Sequence, residues 1–515
     1  MPPKIKKTTS SSPSILADRR SGVLLHPTSL PGPYGIGDLG PEAEKFLSFL
    51  ADAKQRFWMM LPTSPTSEPD FHSPYSSYSA FAGNPLLISP DLLFESGLCT
   101  RADTAQLKKC SPTKNPNRAD LRLAAREKEH FLREVFGKLP AKSKVDRELE
   151  RFSAEHRWLE DFALFTSIRK SQKKPRSQWS LDLRVKDKRR APALMKAHEE
   201  AIRFEVFCQW LFFSQFNRLK GLATEKGIAI VGDLPIYVSD DSADVWASPH
   251  YFALDKEKRP TQVSGCPPDA FATTGQLWGH PIYNWKALER DNFSWWVDRM
   301  RTTLQLADIV RIDHFRGLAA YYAIPYGDPT AEHGKWQKCP GDGLLTAFQD
   351  AFGSVPVIAE DLGFITDDVH ELRDKFELYG MRLLQFGFEG DEFAKNIHAP
   401  FNIPPNSVAF TGSHDKDTAA GWFRSLTSPE KKHLLSFLDH PPVSNIAREF
   451  VRLTLETPAK LAIIPLQDIL SLGSSARMNR PGFARWDNWS WRYDCSLKEA
   501  GRWLGEVTVA TGRAG

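Results

Sequence analysis

The chain has 515 residues, of which 41% are hydrophobic and 25% charged. That is an ordinary globular composition, with length for one decorated barrel or two domains. No stretch approaches about 18 uninterrupted apolar residues, so no membrane-spanning helix is expected. The net charge of +4 equals the excess of Lys4, Lys6, Lys7, Arg19 and Arg20 over Asp18 in the tail, leaving the body balanced. A balanced body argues against a nucleic-acid-binding field. The Ser-, Thr- and Pro-rich tail, residues 1–20, reads as disordered. It lacks the apolar core of a secretory signal, while its Ser and Arg content also fits a short transit peptide. Six dispersed cysteines with no C-x-x-C pair suggest free thiols of a reducing, cytoplasmic compartment and no zinc site.

The first predicted element is a short apolar strand within SGVLLHPTSLPGPYGIGDLG, opening into a Gly- and Pro-rich loop after Leu25. A helix over about Glu42 to Ala53 follows, with Phe46, Leu47 and Leu50 on one face. Phe57 to Leu61 is a second strand, again leading into a long loop that contains Tyr75. Residues from about 89 to 200 are rich in Lys, Arg and Glu with apolar residues at helical spacing, and read as a helical insertion. An amphipathic helix from about His198 to Lys220 returns the chain to the barrel. Gly227 to Val238 is a buried strand carrying Asp233, followed by a loop-rich insertion over about 239–300. Five further strands are predicted: one before Asp313, then Val355 to Ala359, Met381 to Phe388, Ser407 to Phe410 and Leu461 to Pro465.

Eight apolar strands, each ending in polar loops, make a (β/α)8 barrel with large insertions the simplest architecture. The expected organisation is one catalytic domain over 21–515. In ADIVRIDHFRG, Arg311 and Asp313 are two apart on a strand and so face the same way. Alone, such a pair is as well explained by a structural ion pair. An arginine at that distance would also keep a carboxylate ionised, as a nucleophile requires. Asp313, Glu360 and Asp415 all fall at or just after strand ends, which converge on one face of a barrel. Two opposed carboxyl groups are the minimum for glycosidic bond cleavage, and Glu360, beside Asp361 and after Ile358 and Ala359, suits the protonated partner. His314, one past Asp313, is expected by strand alternation to face away from the pocket.

Specific strings add to this. LLHPTSLPGPYGIGDLG, SPYSSYSAFAGNPLLI, GDLPIYVSDDSADVWASP, GCPPDAFATTGQLWG, RIDHFRG, IAEDLG, TGSHDKDT, PLQDILSLG and RMNRPG together resemble the amylomaltase, or disproportionating-enzyme, family. These are the 4-α-glucanotransferases of glycoside hydrolase family 77, and the resemblance spans about Ser21 to Arg492. It implies that Asp313 is the nucleophile of a covalent glucosyl enzyme, Glu360 the acid/base, and Asp415 the carboxylate that holds and distorts the donor sugar. Arg311 would support Asp313, and His414 and Asp233 would bind donor-site hydroxyls. Asp269, Gln276 and Trp278 lie in the motif whose loop covers the cleft. Tyr75 and Trp278 would stack acceptor sugars, with Phe386 and Asn479 as further contacts. Trp278 and Phe386 are equally open to a reading as core aromatics, and Asp269 and Asn479 as turn formers. Asp361 and Asp417, beside catalytic positions, suit contacts with backbone and neighbouring loops.

The implied reaction moves a segment of an α-1,4-glucan, such as a maltooligosaccharide, amylose or an outer glycogen chain, to the 4-hydroxyl of an acceptor. No cofactor, metal, nucleic acid or membrane partner is expected, and the expected state is a monomer or weak homodimer. An α-amylase-type hydrolase and a non-catalytic glucan-binding protein are the alternatives. Lys416, Ala270, His280 and Asp487 depart from the family's commoner residues, which bears on acceptor preference and product length.

Overall fold

The computed structural model of the chain describes residues 18–112, 115–140, 142–268, 272–354, 356–390, 392–483 and 485–514. Asp269, Ala270 and the tail through residue 17 lie outside the described residues. In chain order the strands are β1 (Arg20–Leu24), β2 (Phe57–Met59), β3 (Ala229–Leu234), β4 (Gln262–Cys266), β5 (Gln276–Pro281) and β6 (Ile309–Ile312). They continue with β7 (Ala320–Pro325), β8 (Lys335–Lys338), β9 (Val357–Ala359), β10 (Tyr379–Leu383), β11 (Ser407–Phe410) and β12 (Leu461–Pro465).

Eight of these close a barrel in the order β1-β12-β11-β10-β9-β6-β3-β2, with parallel neighbours throughout. The fold is a (β/α)8 barrel with helical insertions. Runs such as IVRI, SVAF and LAIIP are buried along their whole length, as strands covered by helices on one face and barrel core on the other must be. Closure is tight where β1 meets β2. A Cβ added at Gly22 would lie 2.4 Å from the Phe57 carbonyl oxygen, so only glycine fits there.

Three differences from the sequence expectation have physical causes. The stretch Met381 to Phe388 is not one strand: β10 ends at Leu383 and Leu384–Gly387 turns into a short helix. A continuous apolar run does not by itself distinguish the two. The stretch read as loop-rich, about 239–300, contains β4, β5 and the helices Trp285–Arg290 and Ser294–Leu306. With β7 and β8, β4 and β5 form a second, antiparallel sheet in the order β5-β4-β7-β8. The glycines and prolines of QVSGC and QLWGHP hid this sheet. Gly265 sits at a bulge between β4 and β5, where an added Cβ would come 2.2 Å from the Gln276 carbonyl oxygen. Finally, the long return helix spans Glu199–Glu225, a turn or more beyond its predicted end.

Between β2 and β3 the chain forms Pro90–Glu95, Arg101–Cys110, Leu121–Gly137, Lys144–Glu155, Leu159–Gln172 and Ala191–Ala197, all helical. This layer is tied to the β1 loop by a buried ion pair. The Lys128 ammonium, 2% exposed, donates to Asp38 Oδ2 at 3.1 Å and to the carbonyls of Leu86 and Ile88 at 2.7 and 3.0 Å. Replacing Lys128 by methionine leaves a buried carboxylate and two carbonyls without their donor. The expected cost is about 3–5 kcal/mol, read as a lower urea midpoint; an unchanged midpoint would show the pair to be dispensable.

Candidate active site

The site is built on strand ends at one mouth of the barrel. β3 and β6 pair with Asp233 opposite Arg311. Arg311 Nη1 lies 2.7 Å from both Asp233 carboxylate oxygens, and Nη2 lies 2.8 Å from Asp313 Oδ1. Burial alone would lower the Arg311 pKa, but Asp233 and Asp313 more than reverse this, and the guanidinium stays charged. Asp313 stands just past β6, its N–H held by the Leu234 carbonyl at 3.0 Å, with about a quarter of its side chain exposed to the cavity.

Glu360 stands just past β9, donating its own N–H to the Ile312 carbonyl at 3.1 Å. Its Oε2 accepts the His314 N–H at 2.7 Å. Burial pushes the Glu360 carboxyl well above the usual carboxylate range; Arg311 pulls against that and the neighbouring Asp313 adds to it. Glu360 is therefore the group of the cluster whose burial most favours the protonated form. The adjacent Asp361 is fully buried and structural. It accepts from Arg373 at 2.6 Å, from the Met381 N–H at 2.7 Å and from Arg382.

Asp415 follows β11 in the loop 411–418. Its Oδ1 accepts from Asn479 Nδ2 at 2.7 Å and lies 3.4 Å from His414 Nε2, while Arg477 donates to its main-chain carbonyl at 2.6 Å. Nearly half of the Asp415 side chain remains exposed, so it is presented to the cavity and not locked away.

These groups line one cavity of about 940 Å3. Asp313, Glu360, Asp415, Arg311, His414, Asn479, Tyr75, Gln276 and Trp278 all face it. Asp233 stands behind Arg311. Trp278 and Gln276, on β5, form a further wall, the indole N–H donating to Gln276 Oε1 at 3.1 Å. Tyr75, expected on the acceptor side, contacts two residues expected on the donor side: its hydroxyl donates to Asp233 Oδ2 at 2.6 Å and its ring stacks on His414 at 5.1 Å. A buried phenol takes a buried carboxylate as its hydrogen-bond partner.

His314 also differs: it faces the cavity and meets the Trp278 ring edge-on at 4.7 Å. Its φ of +50° lies in the left-handed region, and strand alternation ends at Ile312. Burial lowers the imidazole pKa to about 4, so it is neutral. Phe386 is not on the cavity wall; it packs against His398, ring centroids 5.5 Å apart. Lys416 does not bring its charge to Asp415. It lies over the Phe386 ring at 4.3 Å and pairs with Glu389 at 2.9 Å. Asp417 is held structurally, accepting from the Thr418 N–H at 2.8 Å and from Ser474 Oγ at 2.7 Å. The sequence reading missed Trp489, whose ring stands 5.7 Å from Tyr75 and 6.0 Å from His414; the aromatic run NWSW after RMNRPG was the available signal. Among the described residues, no group of three or more His, Cys, Asp or Glu is placed to hold a metal ion.

Known proteins are similar to this chain in sequence and fold. A family model described as 4-alpha-glucanotransferase, glycoside hydrolase 77, matches residues 25–497. The 4-alpha-glucanotransferase of Thermus thermophilus is 45% identical over 486 residues, covering 92% of this chain and 94% of the relative. The chloroplastic/amyloplastic 4-alpha-glucanotransferase of Solanum tuberosum is 41% identical over 485 residues, covering 93% and 83%. The structure of amylomaltase from Streptococcus agalactiae in complex with acarbose superposes with a TM-score of 0.92 at 35% identity, covering 96% of this chain and 99% of that one. The matched span runs from the loop after β1 to beyond the loop that carries Asn479, and so includes every strand end of the site. The chain belongs to the 4-alpha-glucanotransferase family, glycoside hydrolase family 77.

Proposed function

We propose that this enzyme transfers α-1,4-glucan segments by double displacement at Asp313. In the first step an Asp313 oxygen attacks the anomeric carbon, the glycosidic bond breaks, and Glu360 protonates the departing 4-oxygen. In the second, the 4-hydroxyl of an acceptor glucan attacks the same carbon. Glu360 takes its proton and the ester to Asp313 breaks. Asp415, with Asn479 and His414, holds hydroxyls of the donor sugar. Asp233 and Arg311 fix Asp313. Gln276 and Trp278 form the acceptor wall, and Asp269, seven positions before Gln276 in sequence, is assigned to substrate binding with them. The observation that carries this reading is the opposed state of two neighbouring carboxyls. Asp313 is ion-paired with a charged guanidinium, and burial pushes Glu360 toward its protonated form. The acarbose complex of the Streptococcus agalactiae protein supports α-glucans as the substrate class.

The covalent step has a direct test. Glu360→Gln, given α-maltosyl fluoride and no acceptor, needs no acid for the fluoride to leave but lacks the base that completes turnover. The peptide containing Asp313 is expected to gain one maltosyl unit by mass spectrometry. Fluoride release with an unmodified Asp313 peptide would contradict the ester. Asn479→Ala removes a donor to Asp415 and is expected to lower kcat/KM by about 10–100-fold at unchanged melting temperature. A wild-type value would show that bond to be idle.

The same reading takes residues 21–515 as one catalytic domain that works as a monomer or weak homodimer. The described cysteines are not joined in disulfides, which suits a reducing cytoplasm, and the balanced charge beyond the tail suits a neutral polysaccharide and not a nucleic acid. No described helix is long and apolar enough to cross a membrane.

A further inference from the structure

The loops after β2 and β12 both reach the site, one through Tyr75 and the other through Asn479 and Trp489. Further out the same two loops meet again. The rings of Phe71 and Trp486 stand 4.8 Å apart, inclined at 57°. A third segment joins them: the Arg122 guanidinium, from the helix Leu121–Gly137, lies over the Trp486 ring at 4.9 Å. Arg122 is held in turn by Glu68 at 2.8 Å, on the loop that carries Phe71.

That loop is shaped to present the phenyl ring. Phe71 and His72 take successive left-handed φ values of +53° and +55°. The turn is fixed by the Phe71 N–H donating to the Glu68 carbonyl at 3.0 Å and the His72 N–H donating to the Ser67 carbonyl at 2.9 Å. His72 is buried, with Nδ1 3.1 Å from Thr66 Oγ1. On the facing loop Arg118 donates to the Asp487 carbonyl at 2.8 Å, one residue beyond Trp486. Loop, insertion helix and facing loop therefore converge on one indole that is 41% exposed.

We infer that the contact among Phe71, Trp486 and Arg122 is a strut that closes one side of the glucan cavity and sets the enzyme's chain-length preference. Phe71 faces the cavity, whereas Trp486 stands outside its wall. Because Trp486 does not line the cavity that holds the carboxylates, a short oligosaccharide bound there is expected to pass it by. A polymer leaving the cavity between these two loops meets it and has to run around it. The indole is poorly placed to act as a sugar platform, because the guanidinium lies over its π-face.

This inference rests on the transferase reading, and one pair of substrates separates the two. Disproportionation of maltotriose by the wild type tests the reaction itself; without it the transferase reading fails. The strut is tested by the ratio of kcat/KM for amylose to kcat/KM for maltotriose. Trp486→Ala is expected to raise that ratio by about threefold or more while maltotriose stays within about twofold of wild type. Trp486→Phe, which keeps an aromatic ring against Phe71, is expected to hold the ratio within about twofold of wild type, and Arg122→Ala to shift it in the same direction as Trp486→Ala. An unchanged ratio in Trp486→Ala overturns the strut. So does a fall for amylose alone, which would make the indole a binding platform, or a parallel loss on both substrates, which would mean general loosening.

Discussion

Replacing Asp313 by alanine is expected to lower maltotriose turnover by about 10^4-fold or more while the protein stays folded. In the proposed mechanism, loss of the carboxylate removes the atom that bonds to the anomeric carbon, and no other described group in the cavity stands in its place. Asp233 is taken by Arg311 and Tyr75, and Asp415 by Asn479. Stability is spared because the buried Arg311 keeps its Asp233 partner at 2.7 Å, so no buried charge is left alone. Retained turnover, or a melting temperature far below wild type, would each contradict this account of Asp313.

Glu360→Gln is expected to separate the two steps of the reaction. With maltotriose, whose departing oxygen needs a proton, the rate should fall by about 10^2–10^4-fold. Release of fluoride from α-maltosyl fluoride in the first turnover should be close to wild type, because fluoride leaves without a proton. The pH dependence has a definite sign. The Glu360 pKa is raised by burial, so the acid is protonated at low pH and loses its proton as pH rises through that value. The wild-type maltotriose rate should fall on the alkaline side, and first-turnover fluoride release should lack that limb. Stability follows the same shift. A carboxyl with a raised folded pKa binds more protons folded than unfolded, so it makes folding less favourable as pH rises above the ordinary value of about 4.3. Glu360→Gln should therefore outlast wild type in urea at neutral pH, with the gap closing toward acid. A gap that widened toward acid would place the raised pKa elsewhere.

The barrel was legible because its strands are short apolar runs that recur along the chain, each followed by a polar loop. The carboxylates were legible because each follows such a run directly, and barrel geometry brings strand ends together. The second sheet was not, since β4 and β5 are interrupted by Gly265, Gly279 and Pro281. Side-chain direction was lost wherever the backbone leaves the strand. At His314 a positive φ turned into the cavity a ring that alternation placed outside. Tyr75 was recognised as a site residue but given the wrong neighbours, because its partner Asp233 is 158 positions away. Lys416 shows that adjacency in sequence does not fix where a charge goes. It follows Asp415 directly, yet Glu389 and the Phe386 ring draw it aside.

In the proposed mechanism, transfer has to outcompete water for the ester on Asp313, which requires an acceptor held in attacking geometry against the Gln276 and Trp278 wall. Incubating the purified protein with maltotriose alone, while following chain lengths and reducing ends together, tests this most directly. Glucose and a ladder of longer maltodextrins at constant reducing ends is the predicted result. Shorter products with rising reducing ends would mean hydrolysis, and would contradict the account.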